Sequence, residues 1–226
     1  MNKKIKIFDL SEQYKLISKE VDKNVLNILK SGQYILGRNV EELEIKFSNF
    51  IGSKYSVSCN SGTDALILSL RALNIGHGDE VITTPFTYFA TAEAIVLVGA
   101  KPIFVDINPH TFNINYKNIE KHINKRTKAI MPVHIFGQSA EIGEIKKICR
   151  KHNLKLIEDC AQSFGAKKNN KYTGTFGDFG CFSFFPTKNL GCAGDGGMIA
   201  TNSLAKMKVL KKLRNHGGLI RNVHEY

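Results

Sequence analysis

Three short stretches of this chain carry side chains that could do chemistry. Asn60-Ser61-Gly62-Thr63-Asp64 precedes the apolar run Ala65 to Leu70. A helix starting there would leave the backbone N–H groups of Gly62 and Thr63 free, beside the Thr63 hydroxyl, to hold a phosphate. An ordinary capping turn has the same sequence. Glu158-Asp159-Cys160-Ala161-Gln162-Ser163 follows the apolar stretch Lys155 to Ile157. A carboxylate at the mouth of a sheet suits a task needing a fixed negative charge, such as keeping a ring nitrogen protonated, although a helix cap is the competing reading. In Phe182-Ser183-Phe184-Phe185-Pro186-Thr187-Lys188-Asn189 an apolar strand delivers a single lysine just after a proline that cannot continue the ladder. A partly desolvated amine there would have the lowered pKa that a Schiff-base nucleophile needs, while an exposed surface lysine is the commoner outcome.

These stretches need a scaffold, and the hydrophobic periodicity supplies one. From about residue 54 onward, short β-branched or aromatic runs alternate with amphipathic stretches, the pattern of parallel strands joined by crossover helices. Strands are expected at 55–59, 80–84, 102–106, 129–134, 155–158, 181–184 and 198–201, and helices at 63–73, 90–98, 140–151 and 204–214. Residues 1–53 read as a helical arm, clearest at 21–30 and 40–50, and residues 54–226 as one α/β domain. Ligands bind such sheets beyond the carboxyl ends of the strands, where all three stretches fall. Leu204, Met207, Leu210 and Leu213 recur at helical spacing, so the last helix has a face suited to burial.

Composition narrows the classes. The 226 residues, 42% apolar and 23% charged, are enough for a sizeable core and exclude intrinsic disorder. The longest apolar run, Ala94 to Ala100, is far short of the roughly 20 residues that cross a bilayer. Asp9, Glu12 and Glu20 interrupt the basic N-terminus before a signal peptide could form, so a cytoplasmic protein is expected. Cys59, Cys149, Cys160, Cys181 and Cys192 form no CxxC pair and no zinc spacing; buried thiols and no metal are expected. Thirty-two basic against 20 acidic residues give +12, but the lysines are dispersed, which fits a solvated surface better than a nucleic-acid stripe. The glycine-rich stretches at 174–180 and 191–197 lack the GxGxxG spacing and context of a dinucleotide site, and no GxSxG elbow is present.

Taken in order, a phosphate-holding helix start, an acidic strand end and a lysine form the series expected of a fold type I pyridoxal phosphate enzyme. The resemblance is specific: SGQYILG (31–37), NSGTDAL (60–66), GDEVITTPFTYFATAEAI (78–95), KPIFVDI (101–107), PVHIFGQ (132–138), IEDCAQSFGA (157–166), FSFFPTKNLGCAGDGGMI (182–199) and LRNHG (213–217) are similar to the DegT/DnrJ/EryC1/StrS family of nucleotide-sugar aminotransferases. It implies a fold type I large domain with a mostly parallel seven-stranded sheet covered by helices on both faces.

The resemblance also implies roles. Lys188 would bond to the pyridoxal 5'-phosphate and move the proton during transamination; a related dehydratase branch has histidine there. Asp159 would pair with the ring nitrogen, Gln162 would lie near the ring oxygen, and Tyr88 would stack on the ring. Gly62, Thr63 and Ser183 would hold the phosphate. The implied partners are a keto sugar nucleotide and an amino donor, glutamate in the resemblance, with C3 amination of a 3-keto sugar for surface polysaccharide as the closest match. A homodimer is implied for the complete protein, with no nucleic-acid or membrane partner. Family members run beyond 300 residues, so a small C-terminal domain is expected to be missing from 1–226. An inactive partner subunit or cofactor-binding remnant is the alternative that this shortness leaves.

Overall fold

The computed structural model describes residues 6–219. Two compact units result, 1–43 and 44–226. In the first, α1 (Leu10–Ser31) starts where Asp9 accepts the Ser11 N–H at 3.1 Å and stops at Gly32, which takes the left-handed conformation that glycine allows. The helix begins 11 residues before the expected Val21, because the Asp9 cap and Glu12 in the first turn outweigh the weaker apolar periodicity there. The unit boundary falls inside α2 (Arg38–Ile51).

The second unit is built on a seven-stranded sheet. Its strands are β1 (Tyr55–Cys59), β2 (Glu80–Thr83), β3 (Lys101–Phe104), β4 (Thr127–Ile130), β5 (Lys155–Asp159), β8 (Phe179–Ser183) and β9 (Gly197–Thr201), in the order β1-β9-β8-β5-β4-β2-β3. Only β9 runs against its neighbours, pairing antiparallel with β1 and β8; all other pairs are parallel. The mostly parallel seven-stranded sheet expected from the sequence is therefore present. A small hairpin, β6 (Lys167–Lys168) with β7 (Lys171–Tyr172), turns through Asn169 and Asn170, both at positive φ. Adjacent asparagines are the signal for such a two-residue turn, and the strand periodicity alone does not reveal it.

Successive side chains of a strand point to opposite faces, and here both faces are apolar. Val81, Ala129, Ile157, Phe179 and Ile199 face a core closed by α3 (Gly62–Ala72), α4 (Ala90–Leu97) and α7 (Leu204–Arg214). Ile82, Ile130 and Leu156 face the opposite core with α5 (Tyr116–Ile119) and α6 (Ile142–Lys151). Beside the latter, Phe182, Met198 and Ala200 pack against Phe47 and Ile51 of α2, with the Phe47 and Phe182 rings edge-on at 5.0 Å. In α7, Leu210 is fully buried and Met207 packs against the same core, so this part of the expected apolar face is used within the domain, whereas Leu204 at the helix start is 48% exposed.

The end of α7 is clamped by charge. Arg214 Nη1 bonds Glu44 Oε1 at 2.5 Å and the Ser58 hydroxyl at 2.9 Å, while Glu44 accepts the Ser58 N–H at 2.9 Å. This largely buried ion pair ties α2, β1 and α7 together, and its hydrogen bonds to Ser58 offset part of the cost of desolvating the two charges. The expected strand 129–134 is shorter, because Pro132 has no N–H for the ladder; residues beyond β4 continue instead through single bonds to β2 and β5. Cys149, Cys160 and Cys181 are buried as expected and Cys59 is half-buried, but Cys192 lies exposed in the loop after Lys188.

Gly197 starts β9 directly beneath the β1–α3 turn. A Cβ there would collide with the Ser61 carbonyl and come within 3.0 Å of Cys59 Sγ, so the start of α3 would have to move. Gly197→Ala is expected to destabilise the domain by about 1–3 kcal/mol, as overpacking does. A thermal melt indistinguishable from wild type would show that the turn is not held by this contact.

Candidate functional site

A cavity of about 460 Å³ opens at the carboxyl ends of the parallel strands, and Gly62, Thr63, Tyr88, Asp159, Gln162, Ser183 and Lys188 all line it. Tyr88 comes from the β2–α4 connection, and three other connections bring the rest. Gly62 and Thr63 start α3 just after β1, Asp159 ends β5 with Gln162 in the turn beyond, and Ser183 ends β8 with Lys188 five residues later.

One side of the cavity is built to receive an anion. Ser61 caps α3, its Oγ accepting the Asp64 N–H at 3.0 Å and its carbonyl accepting the Ala65 N–H at 3.0 Å. The N–H groups of Gly62 and Thr63 then have no acceptor within the helix. Gly62 is pressed against the end of β8: a Cβ on it would lie 2.6 Å from the Ser183 Cβ and 3.1 Å from its Oγ. Only glycine permits that approach, which puts the Ser183 hydroxyl beside the free N–H groups. Ser183 Oγ accepts the Phe185 N–H at 3.3 Å, so its own hydrogen remains available to donate.

The opposite side carries the carboxylate. Asp159 is buried, with Oδ1 accepting the Ala161 N–H at 3.1 Å and Oδ2 accepting the Thr91 hydroxyl at 2.8 Å. Because Thr91 donates to Asp159, it accepts in turn from the Thr87 hydroxyl at 2.8 Å. Burial pushes the Asp159 pKa up; the Ala161 N–H, the Thr91 hydroxyl and the positive charge of Lys188 pull against it. The Gln162 side chain is oriented by the Phe136 N–H, which donates to Oε1 at 2.9 Å and leaves the NH2 group as its free end.

Lys188 sits half-buried in a tight turn, its N–H donating to the Phe185 carbonyl at 2.8 Å. The 184–196 loop that carries it is pinned at both ends by the Phe184 N–H to the Gly196 carbonyl, 2.7 Å, and the Cys192 N–H to the Phe184 carbonyl, 2.8 Å. Tyr88, at the entry to α4, stands at the rim and is 73% exposed. Thr87, Thr91 and Asp195 also line the cavity and were not anticipated. A signal for Thr91 exists: it lies three residues after Tyr88 at a helix start, so one turn brings both to the same side.

Below Asp159 on the other face of β5 lies a second polar group. His134, Glu158 and Cys160 are buried, and their potential ligand atoms all lie within 4.8 Å of one another. The donors and acceptors are already engaged. His134 Nδ1 accepts the Ala140 N–H at 3.0 Å, which places the ring hydrogen on Nε2, facing Glu158 Oε2 at 3.0 Å. Glu158 further accepts the N–H groups of Gly174, Phe176 and Gly177 at 2.9, 2.7 and 2.8 Å. A cation would have to displace these hydrogen bonds, so the cluster is a hydrogen-bonded knot rather than a ligand set.

Comparison with known proteins gives the family. The chain is 47% identical over 216 residues to a UDP-N-acetyl-3-dehydro-alpha-D-glucosamine 3-aminotransferase of Acidithiobacillus ferrooxidans, covering 96% of this chain and 58% of that protein. The crystal structure of S. venezuelae DesV in complex with a ketimine intermediate matches with a TM-score of 0.96 at 37% identity, over 98% of this chain and 60% of that one. NtdA from Bacillus subtilis, solved with bound cofactor PMP, matches with a TM-score of 0.91 at 32% identity, over the whole of this chain and 52% of that one. The chain thus spans between half and three-fifths of the length of these relatives. The model of the DegT/DnrJ/EryC1/StrS aminotransferase family matches residues 15–226, nearly the full sequence with all three site segments inside it, and the chain belongs to that family.

Proposed function

We propose that this chain is the cofactor-binding part of a pyridoxal phosphate-dependent aminotransferase that transfers an amino group to a keto sugar nucleotide. The observation that carries this reading is the convergence on one cavity of Lys188, the buried carboxylate of Asp159, and the free N–H groups of Gly62 and Thr63 beside the Ser183 hydroxyl. The family is pyridoxal phosphate-dependent. The donor set fits the group: hydroxyl and N–H donors for a phosphate, a carboxylate for a protonated nitrogen, and a primary amine from the loop after β8.

When bound, the cofactor supplies an electron sink for the carbon that loses its proton. Gly62, Thr63 and Ser183 would hold the phosphate by hydrogen bonds to its oxygens. Asp159 would accept the ring N–H, and its charge, costly while unpaired in the buried site, would be matched by the positive charge of the protonated nitrogen. Gln162 would donate its free NH2 to the ring oxygen. Tyr88 would cover one ring face. Lys188 would hold the cofactor covalently through its amine, with water as the leaving group, and, once displaced by the incoming donor amine, would serve as the general base and acid that moves the proton during transamination.

Glutamate as amino donor, C3 of a 3-keto sugar as acceptor, and a role in surface polysaccharide synthesis complete the proposal. The C3 assignment is supported by the name of the Acidithiobacillus relative. The net charge of +12 favours an anionic substrate such as a nucleotide diphosphate. A homodimer is proposed for the assembled enzyme.

Borohydride reduction of the cofactor-loaded protein followed by peptide mapping is expected to leave the label on Lys188. A label on any other lysine would overturn its assignment. Asp159→Asn is expected to lower turnover on a keto sugar nucleotide by well over tenfold, which is roughly 1.4 kcal/mol. The same variant has a separate signature in the cofactor-free chain. Because burial raises the Asp159 pKa, the protonated form is the stabilising one; its contribution is complete below the ordinary carboxylate value near about 4 and is lost as pH rises through the raised value. The amide is free of that loss, so near about pH 7 the variant should melt no lower than wild type, with any advantage shrinking in acid. A variant that melts well below wild type at neutral pH would contradict this account.

A further inference from the structure

We infer that Glu158 and His134 are positioning residues: this buried pair sets the directions of Asp159 and Gln162, the two side chains that would hold the ring nitrogen and the ring oxygen of the cofactor. The inference rests on the reading of Asp159 as partner of the ring nitrogen.

Glu158 and Asp159 are consecutive carboxylates at the end of β5, so their side chains leave opposite faces of the sheet. Both are buried, but their surroundings differ. Asp159 has two protein donors and faces the cavity. Glu158 has four: Oε1 takes the Phe176 and Gly177 N–H groups, and Oε2 takes the Gly174 N–H and the His134 ring. A carboxylate has about four lone-pair sites, so none is left for acid–base work. Its role is to hold.

What it holds is the segment after β4. The Asp159 N–H donates to the Pro132 carbonyl at 2.9 Å, and the His134 N–H donates to the Asp159 carbonyl at 3.0 Å, so the Asp159 backbone is bracketed by residues 132–134. The His134 ring joins Glu158 on one nitrogen to Ala140 on the other, closing the 134–140 loop across its base. Within that loop Phe136 is held at φ +53°, ψ +24°, and is 70% exposed. A left-handed conformation costs such a residue roughly 1–2 kcal/mol, and the exposed ring offers little burial to offset it. The conformation has one evident use, since it aims the Phe136 N–H at Gln162 Oε1. One pair of side chains therefore anchors the strand end that carries Asp159 and the loop that turns Gln162.

The test compares affinities of the cofactor-free chain for pyridoxal phosphate and for its 1-deaza analogue, which has carbon in place of the ring nitrogen. Inorganic phosphate serves as a control for the phosphate end. Wild type should prefer pyridoxal phosphate by at least about tenfold, and Asp159→Asn should erase the preference. Glu158→Gln should cut the preference by at least about threefold with phosphate affinity held within about twofold, and His134→Gln should do the same. A merely structural role would weaken all three ligands together. Full preference in a folded Glu158→Gln or His134→Gln protein overturns the inference, as does failure of both variants to fold, which would make the pair a support of the domain rather than of the ring site. A wild type without preference refutes instead the reading of Asp159 itself.

Discussion

The carboxyl group of Asp159 is held out of water at the end of a central strand, and much of the surrounding structure makes that placement tolerable. Two donors hold it from the protein side: a backbone N–H two residues on and a hydroxyl from the first turn of α4. They do not fully compensate for lost hydration, and the carboxyl stays shifted toward its neutral form. A buried carboxyl in that state can be drawn to its ionised form by a cation placed beside it. Under the proposed function, the protonated nitrogen of the cofactor ring would be that cation, matching the carboxylate in charge and in hydrogen-bonding sense.

The sheet topology explains why this charge, an anion-binding turn and a lysine meet. β1 is the first strand in sequence, but it enters the sheet at the far edge, paired only with β9, and β9 runs backwards between β1 and β8. This reversal brings Gly197 under the β1–α3 turn and presses Gly62 onto Ser183. Residues more than 120 positions apart in sequence thereby share one corner of free N–H and hydroxyl donors. The buried Glu44–Arg214 pair fixes the same edge from outside, since Ser58 of β1 lies in its hydrogen-bond network. The loop that carries Lys188 spans the return from β8 to β9, so the strand reversal that builds the anion corner also carries the amine into the cavity.

Two adjacent carboxylates end β5, and environment gives them different work. Glu158 is saturated by four donors and can only hold its neighbours. Asp159 is under-coordinated and faces open space. The difference comes from the period-two alternation of a strand, which sends one side chain into a turn rich in unpaired N–H groups and the other into the cavity.

The sequence by itself determined the alternation of strands and helices, the helix start at Gly62 and Thr63 and the three segments that carry the candidate site, because each of these is local: hydrophobic period, turn chemistry and a proline that ends a strand are readable within a few residues. It also carried the family likeness, through motifs spread along nearly the whole chain. Tertiary structure alone decided the rest. Thr91 could not be identified as the partner of Asp159 from its own neighbourhood, since their contact spans 68 positions and depends on how α4 packs over β5. The early start of α1 was legible in Asp9, but the shortening of β4 reflects a missing N–H at Pro132, which matters only once its neighbours in the sheet are known. The reversed β9, the tautomer of His134 and the saturation of Glu158 follow from long-range hydrogen bonds, whose partners no local pattern specifies. Side-chain type and spacing supplied the candidates; the physical reason they act together is the packing of distant backbone segments at one end of the sheet.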